Sequence, residues 1–235
     1  MPEMNLRQAL AKGLREALDT NDNVFLIGED IGMYGGPYAV TKDLFKDYGP
    51  EKIMDTPISE SGFVGAAIGS SMVGMKPIVE IMTINFSLLA IDQIVNHAAK
   101  MHYMSDGQLS VPIIIRTVTG AGGRLAATHS QSFEGWYASV PGLKVVAPSN
   151  PNDALGLLRS SVNDNNPIIF VEHSMLYGVN GEVPDQYYET PIGIPKILES
   201  GDDLTIIAWS GICLLYTSPS PRDQRGSGVR GWGCK

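Results

Sequence analysis

Apolar and polar positions follow two rhythms along the 235 residues. Runs that are apolar on both faces occur at VFLIGE (24–29), KPIVEIM (76–82), VPIIIRTV (111–118), LKVVAPS (143–149) and PIIFVEH (167–173). Each is short and β-branched, as buried strands are. Between them, Ser59 to Met75, Asn85 to Ser105, Ser130 to Val140 and Pro151 to Asp164 carry apolar residues at helical spacing, and residues 1–19 read as an amphipathic helix. Strands apolar on both faces, alternating with helices, predict an α/β fold: a parallel sheet covered by helices on both faces. Pro112 suits the first residue of a strand. Asn150 or Asn152 can cap the helix that opens near Pro151. In such a sheet ligands sit beyond the carboxyl ends of the strands, at the loops after Glu29, Asp55, Met82 and Val118.

Composition narrows the classes. Hydrophobic content of 43% and charged content of 18% suit a buried core. A net charge of −8 without a basic stripe argues against nucleic acid as a partner. The most apolar stretch, Phe86 to Met101, is broken by Asp92, Gln93, Asn96 and His97, so it reads as a buried helix and not a membrane span. The N-terminus lacks the apolar run and cleavage site of a secretory signal. Cys213 and Cys234 are the only cysteines, which leaves the first 212 residues without thiolate ligands and fits a reducing compartment.

The chemistry concentrates in DTPISESGFVGAAIGSSMVGM (55–75). Glu60 is expected in the loop between a short strand and a Gly/Ala-rich helix, whose small residues permit close approach. An acid there either steadies the helix N-terminus through the macrodipole or does chemistry. His129, in the Gly-rich loop GAGGRLAATHSQ, either holds that turn or carries protons. Phe86, in MTINF, and Met82, at the end of KPIVEIM, suit either core or pocket lining. His97 and His102 lie five apart, off a shared helical face, and His173 ends a buried strand, so no metal cluster is predicted.

Several blocks then point one way. GEDIGMYGGPYAVTKDLFKDYG (28–49), DTPISESGFVGAAIG (55–69), EIMTINFSLLAIDQIVNHAAKMHYMSDGQ (80–108), THSQSFEGWYASVPGLKVVAPSNPNDALGLL (128–158) and DNNPIIFVEHSMLYG (164–178) resemble, in order, the beta subunit of 2-oxo acid dehydrogenases. That family acts on pyruvate, branched-chain 2-oxo acids or acetoin. The resemblance runs from about residue 5 to residue 211, and registered blocks are more specific than one motif. It implies a thiamine-diphosphate-binding, transketolase-like pyrimidine-binding fold. It also implies that Glu60 contacts the aminopyrimidine ring and favours the tautomer that removes the thiazolium proton. Phe86 would pack against that ring, Met82 would line the pocket, and His129 would lie near the site of lipoyl acylation. Ile113, Ser161, Val162, Asp164 and Asn166 match positions that hold potassium, mostly through carbonyls. The same DNN before proline is an ordinary turn.

No GDG-type loop is present to anchor a diphosphate through magnesium: GED (28–30) and SGDD (200–203) lack its context. The resemblance therefore assigns the diphosphate and magnesium to an alpha subunit, in an assembly of two alpha and two beta subunits served by a lipoyl acyltransferase core. The substrate is a 2-oxo acid, with pyruvate favoured, although TVTGAGGR departs from the RGP-type loop of pyruvate members. Alternatives are an acetoin or branched-chain enzyme, a fragment of a transketolase or deoxyxylulose-phosphate synthase, and a silent scaffold subunit. The expected compartment is the cytoplasm in a bacterium and the mitochondrial or plastid matrix in a eukaryote.

Four segments are expected. Residues 1–175 form the pyrimidine-binding domain and 176–203 a linker. LTIIAWSG (204–211) opens a truncated C-terminal domain, counted as 204–212, and 213–235 form an irregular tail. The tail lacks periodicity, as a disordered segment or non-native read-through sequence does, and the second is favoured.

Overall fold

The computed structural model describes residues 2–119 and 124–213. Six strands form one parallel sheet: β2 (Val24–Gly28), β3 (Ile53–Asp55), β4 (Lys76–Ile81), β5 (Ile114–Thr119), β6 (Lys144–Val146) and β7 (Ile168–His173), in the order β3-β2-β4-β5-β7-β6. Every pairing is parallel. One face packs on α1 (Leu6–Thr20) and α6 (Pro151–Asn163), through Leu10, Leu14, Leu158 and Phe170. The other face packs on α3 (Glu60–Met72) through Phe63, Val64 and Ile68. Both faces are covered, which is why the strand runs are apolar throughout.

Local signals explain the helix starts. Asn5 and Gln8 form a reciprocal capping box on α1, each backbone N–H donating to the other's side-chain oxygen at 2.9 Å. Of the two asparagines near Pro151, Asn150 is the cap of α6: its Oδ1 accepts from the Asp153 N–H at 2.8 Å. Glu60 differs from expectation by a small step, being the first residue of α3 instead of a loop residue. β5 begins at Ile114, so Pro112 precedes the strand.

The stretch 85–105 is not one helix. It winds as a 3-10 turn (Phe86–Ala90), a π-helical turn (Gln93–Ala98) and a short α4 (Met101–Met104). The burial explains the winding. Ser87 and Ala90 face inward three residues apart, whereas Ile94 and Ala98 do so four apart, so tight then wide turns keep both pairs inside. Between 130 and 140 only α5 (Glu134–Ala138) is α-helical; α2 (Leu44–Tyr48) lies between β2 and β3. No helix among the described residues is long and apolar enough to cross a membrane.

The segment after β7 folds back. β8 (Asn180–Glu182) pairs antiparallel with β1 (Glu3–Asn5), and the Tyr188 hydroxyl donates to the Asn152 carbonyl at 2.8 Å. LTIIAWSG forms no strand: Leu204, Ile206, Ile207 and Trp209 are exposed, and a strand without a neighbour leaves its backbone unpaired. Of the expected tail, residues 214–235 lie outside the described residues.

Charge is buried at the centre of the sheet. Arg116 on β5 is 2% exposed and bridges Glu80 on β4 (Nη1 to Oε2, 2.8 Å) and Glu172 on β7 (Nε to Oε1, 2.7 Å). The Tyr177 hydroxyl donates to the other Glu172 oxygen at 2.6 Å. Burial opposes the charge of Arg116, but Glu172 and Glu80 outweigh it and hold the guanidinium above its ordinary pKa. Burial likewise pushes the Glu172 carboxyl up, against the pull of Arg116 and Tyr177. Arg116→Met should cost about 3–5 kcal/mol, because two carboxylates lose their partner in the interior. Chemical denaturation checks this, and adding Glu80→Gln and Glu172→Gln should recover most of the loss.

Candidate functional site

Strand β2 leads through α2 to β3 on one side of it, while β4 leads to β5 on the other. The carboxyl ends of β2 and β4 therefore flank a topological switch point, where ligands bind in open α/β sheets. Glu29 follows β2 directly, Met82 follows β4, and α3 brings Glu60 to the same end of the sheet.

Glu60 is 4% exposed, and no group among the described residues hydrogen-bonds its carboxylate. Its oxygens are not among the fully buried unpartnered atoms, so they stay open to a donor from a ligand. Beside it lies Glu29, 8% exposed, whose Oε1 accepts from the Ser59 N–H at 3.3 Å. Burial, then the charge of Glu60, pushes the Glu29 carboxyl above the usual range; the Ser59 N–H pulls the other way. Around them the backbone is tight. Asp30 has φ 55°, and the Gly32 N–H donates to Asp55 Oδ1 at 2.7 Å. A Cβ on Gly32 would run into that carboxylate, so the approach requires glycine.

Phe86 and His129 come together although 43 positions separate them. Their rings meet edge to face, with centroids 5.3 Å apart and planes at 86°. Phe86 is half-buried and belongs to the turn that packs against α3, the helix Glu60 begins; His129 is exposed, with Nδ1 3.0 Å from Thr128 Oγ1. Met82 is half-buried. Ala126, three residues before His129, has φ 72° and ψ −177°, a conformation almost confined to glycine. Strained backbone thus leads into the candidate proton carrier.

The residues matched to an ion gather elsewhere, at the carboxyl end of α6 and the turn into β7. The carbonyl of Ile113 accepts from the Ile168 N–H at 2.9 Å, and that of Ser161 from the Asp164 N–H at 3.3 Å. The Val162 carbonyl accepts from Lys76 Nζ at 2.8 Å. The Asp164 carboxylate takes Lys144 Nζ and both nitrogens of Asn166, and these bonds hold its pKa below the usual carboxylate range despite burial. His97 and His102 sit on different turns, and His173 Nδ1 accepts from the Met175 N–H at 3.2 Å. Among the described residues no group of three or more His, Cys, Asp and Glu could hold a metal ion.

Two residues were not picked out as site residues in the sequence. Glu29 stood there as the residue before a candidate site loop and as part of a GED lacking the diphosphate context, yet an acid directly after a fully apolar strand is itself a signal. Asn85, in MTINF, is 7% exposed and bonded at both ends of its amide.

Comparison with known proteins follows the same line. The transketolase pyrimidine-binding domain model matches residues 2–179. The mitochondrial pyruvate dehydrogenase E1 component subunit beta-2 of Oryza sativa subsp. japonica is 48% identical over 212 residues, covering 88% of this chain and 56% of the relative. The mitochondrial subunit beta of Bos taurus is 47% identical over 219 residues (90% and 61%), and the pyruvate dehydrogenase E1 component subunit beta of Rhizobium meliloti (strain 1021) 43% over 230 residues (97% and 50%). The chain thus spans about half to three fifths of the length of these relatives. Among solved structures, a split-gene transketolase described as an inactive beta4 tetramer superposes with TM-score 0.71 at 19% identity, over 89% of this chain and 64% of that one. A transketolase from Campylobacter jejuni does so with TM-score 0.60 at 15% identity, over 73% and 26%. At such identities these two show the fold.

The Glu29 shift has a consequence for stability. A carboxyl whose folded pKa is raised favours the fold below its unfolded pKa and loses that contribution as pH rises through the raised value. Glu29→Gln should therefore melt like the wild type near pH ~4. It should melt progressively higher than the wild type as pH rises, until the gap levels off. Thermal unfolding across that range checks this, and a gap that does not widen would contradict it.

Proposed function

This chain belongs to the transketolase pyrimidine-binding domain family, and from that premise we propose that it is part of the beta subunit of a thiamine-diphosphate-dependent 2-oxo acid dehydrogenase, with pyruvate the favoured substrate. The observation that carries the reading is the buried Glu60 carboxylate at the switch point, beside Glu29 and free of protein hydrogen bonds among the described residues. The names of the relatives support pyruvate. The reaction proposed is oxidative decarboxylation with transfer of the acyl group to the lipoyl group of an acyltransferase.

Thiamine diphosphate, when bound, supplies the sink for the electron pair released as carbon dioxide leaves. The chain's own part is acid–base work. Glu60 would share a proton with the nitrogen of the pyrimidine ring, in a setting where burial strengthens the bond. Burial and the charge of Glu60 push the Glu29 carboxyl above its usual range at the same corner. Phe86 offers a ring face and Met82 an apolar wall, while His129, exposed at the rim, moves the proton during acyl transfer. The diphosphate and its magnesium would be held by an alpha subunit, in a tetramer of two alpha and two beta subunits. Residues 1–175 would form the pyrimidine-binding domain and 176–203 a connector, with a further domain from 204.

Potassium at the α6 turn belongs to the same reading. The carbonyls of Ile113, Ser161 and Val162 each accept one protein bond, which leaves a second lone pair for a hard cation, as the carbonyls of Asp164 and Asn166 would supply. Lys76 competes for Val162. The melting midpoint of the full-length protein should be higher in potassium chloride than in choline chloride of equal strength. Equal midpoints would mean that the lysine serves in place of an ion.

Reconstitution of the full-length protein with an alpha subunit, followed by a panel of 2-oxo acids and acetoin, tests the assignment. Glu60→Gln should assemble yet lose about 10²–10⁴-fold in turnover, and His129→Ala should lose lipoyl acylation. Near-normal decarboxylation by the first variant, or intact acylation by the second, removes the corresponding role.

A further inference from the structure

Asn85 links the segments that carry the two rings brought together at the site. It follows β4, directly precedes Phe86, and is 7% exposed. Its Nδ2 donates to Thr83 Oγ1 at 3.0 Å and its Oδ1 accepts from the backbone N–H of Gln131 at 3.1 Å. The orientation of the amide is forced, since only the oxygen can receive an N–H. Gln131 lies two residues beyond His129, so one side chain grips the loop of His129 while its own backbone carries Phe86.

Two further ties join the same segments. Ser87 Oγ lies 2.6 Å from the Tyr137 hydroxyl, with both residues buried, and Thr119 Oγ1 donates to Ser132 Oγ at 3.1 Å. The first ties α5 to the turn that carries Phe86, and the second ties the residue after Gln131 to the end of β5. The loop upstream of His129 is strained at Arg124 (φ 49°) and Ala126 (φ 72°), so it does not settle there by its own preference. Among the described residues it is held from downstream, by the bond from the Gln131 N–H to Asn85.

We propose that Asn85 is a positioning residue for His129: through the Gln131 N–H it sets where the imidazole stands against Phe86. The role rests on the reading of His129 in acyl transfer given above. It differs from mere satisfaction of buried polar atoms, because it predicts an effect confined to one half of the reaction. Asn85→Ala removes the acceptor for Gln131. Asn85→Asp retains it, with the second oxygen accepting from the Thr83 hydroxyl.

Two measurements test this. In the full-length protein assembled with its alpha subunit but without cofactor, hydrogen exchange over residues 127–133 should quicken at least about tenfold in Asn85→Ala and stay near wild type in Asn85→Asp. In the loaded complex, the ratio of lipoyl acylation to decarboxylation (the latter followed with an artificial oxidant) should fall about tenfold in Asn85→Ala. Asn85→Asp should restore it, and the double variant Asn85→Ala/His129→Ala should be no slower in acylation than His129→Ala. Unchanged loop exchange, a parallel fall of both half-reactions, or multiplicative losses in the double variant would overturn the proposal. Normal acylation by His129→Ala would sink the reading of His129 and the catalytic consequence of Asn85 with it; loop exchange then decides separately whether Asn85 holds that loop.

Discussion

Everything at the carboxyl end of the sheet depends on the guanidinium of Arg116. Three neighbouring strands place Glu80, Arg116 and Glu172 on one face, and the ion pairs at 2.8 and 2.7 Å lock those strands laterally. The cluster reaches outward through Tyr177, which bonds Glu172, stacks on Tyr38 with centroids 5.1 Å apart, and lies under Arg7 of α1. The loop after β2 and the turn after β7 are thereby referred to a single buried cation. A buried ion pair is weak evidence for stability, because desolvation offsets most of the attraction. Its more credible contribution is geometric: hydrophobic residues of equal volume would pack, but would not hold three strand ends and two loops in one relation.

The candidate site lies across the sheet from that cluster, on the α3 side. The two faces thus divide the labour. The α1 face carries the paired charges that fix the frame, and the α3 face carries the carboxylate that the protein leaves unpaired. Glu60 and Glu29 can be kept close only because the strand ends beneath them are rigid; two acids on a mobile loop would separate. The loops of Phe86 and His129 are joined instead by side-chain bonds, Asn85 to the Gln131 N–H, with Thr119 at the end of β5 bonding Ser132. Under the proposed function such a linkage suits a rim that admits a large acyl acceptor.

The arrangement also explains why such a chain reads as half of a site. Under the proposed function Glu60, Phe86 and Met82 would receive one ring, while the described residues show no group of three or more His, Cys, Asp and Glu that could hold a metal ion. Ile58, two residues before Glu60, and Leu89 and Ile91, in the stretch that follows Phe86, are exposed. Under the proposed function these apolar side chains and the small residues of α3 are where a partner would close the pocket.

Much of this was written in the sequence. Strands apolar on both faces, separated by helical periods, require a parallel sheet covered twice, and the Asn–Pro start of α6 and the polar entry to α1 follow from backbone donors that need local acceptors. Those are short-range demands, so a linear reading suffices. The registered blocks around Glu60 and His129 pointed to the family for the same reason. Other features needed the third dimension. The region 85–105 reads as one helix because its apolar spacing averages that of a helix, yet packing against α3 decided that it winds tight, then wide. The edge contact of Phe86 with His129, the pairing of Glu29 with Glu60, the reach of Asn85 to Gln131 and the Arg116 cluster join residues 31 to 56 positions apart. No local preference encodes those pairs; they exist because strand order brings the carboxyl ends of β2, β4, β5 and β7 side by side.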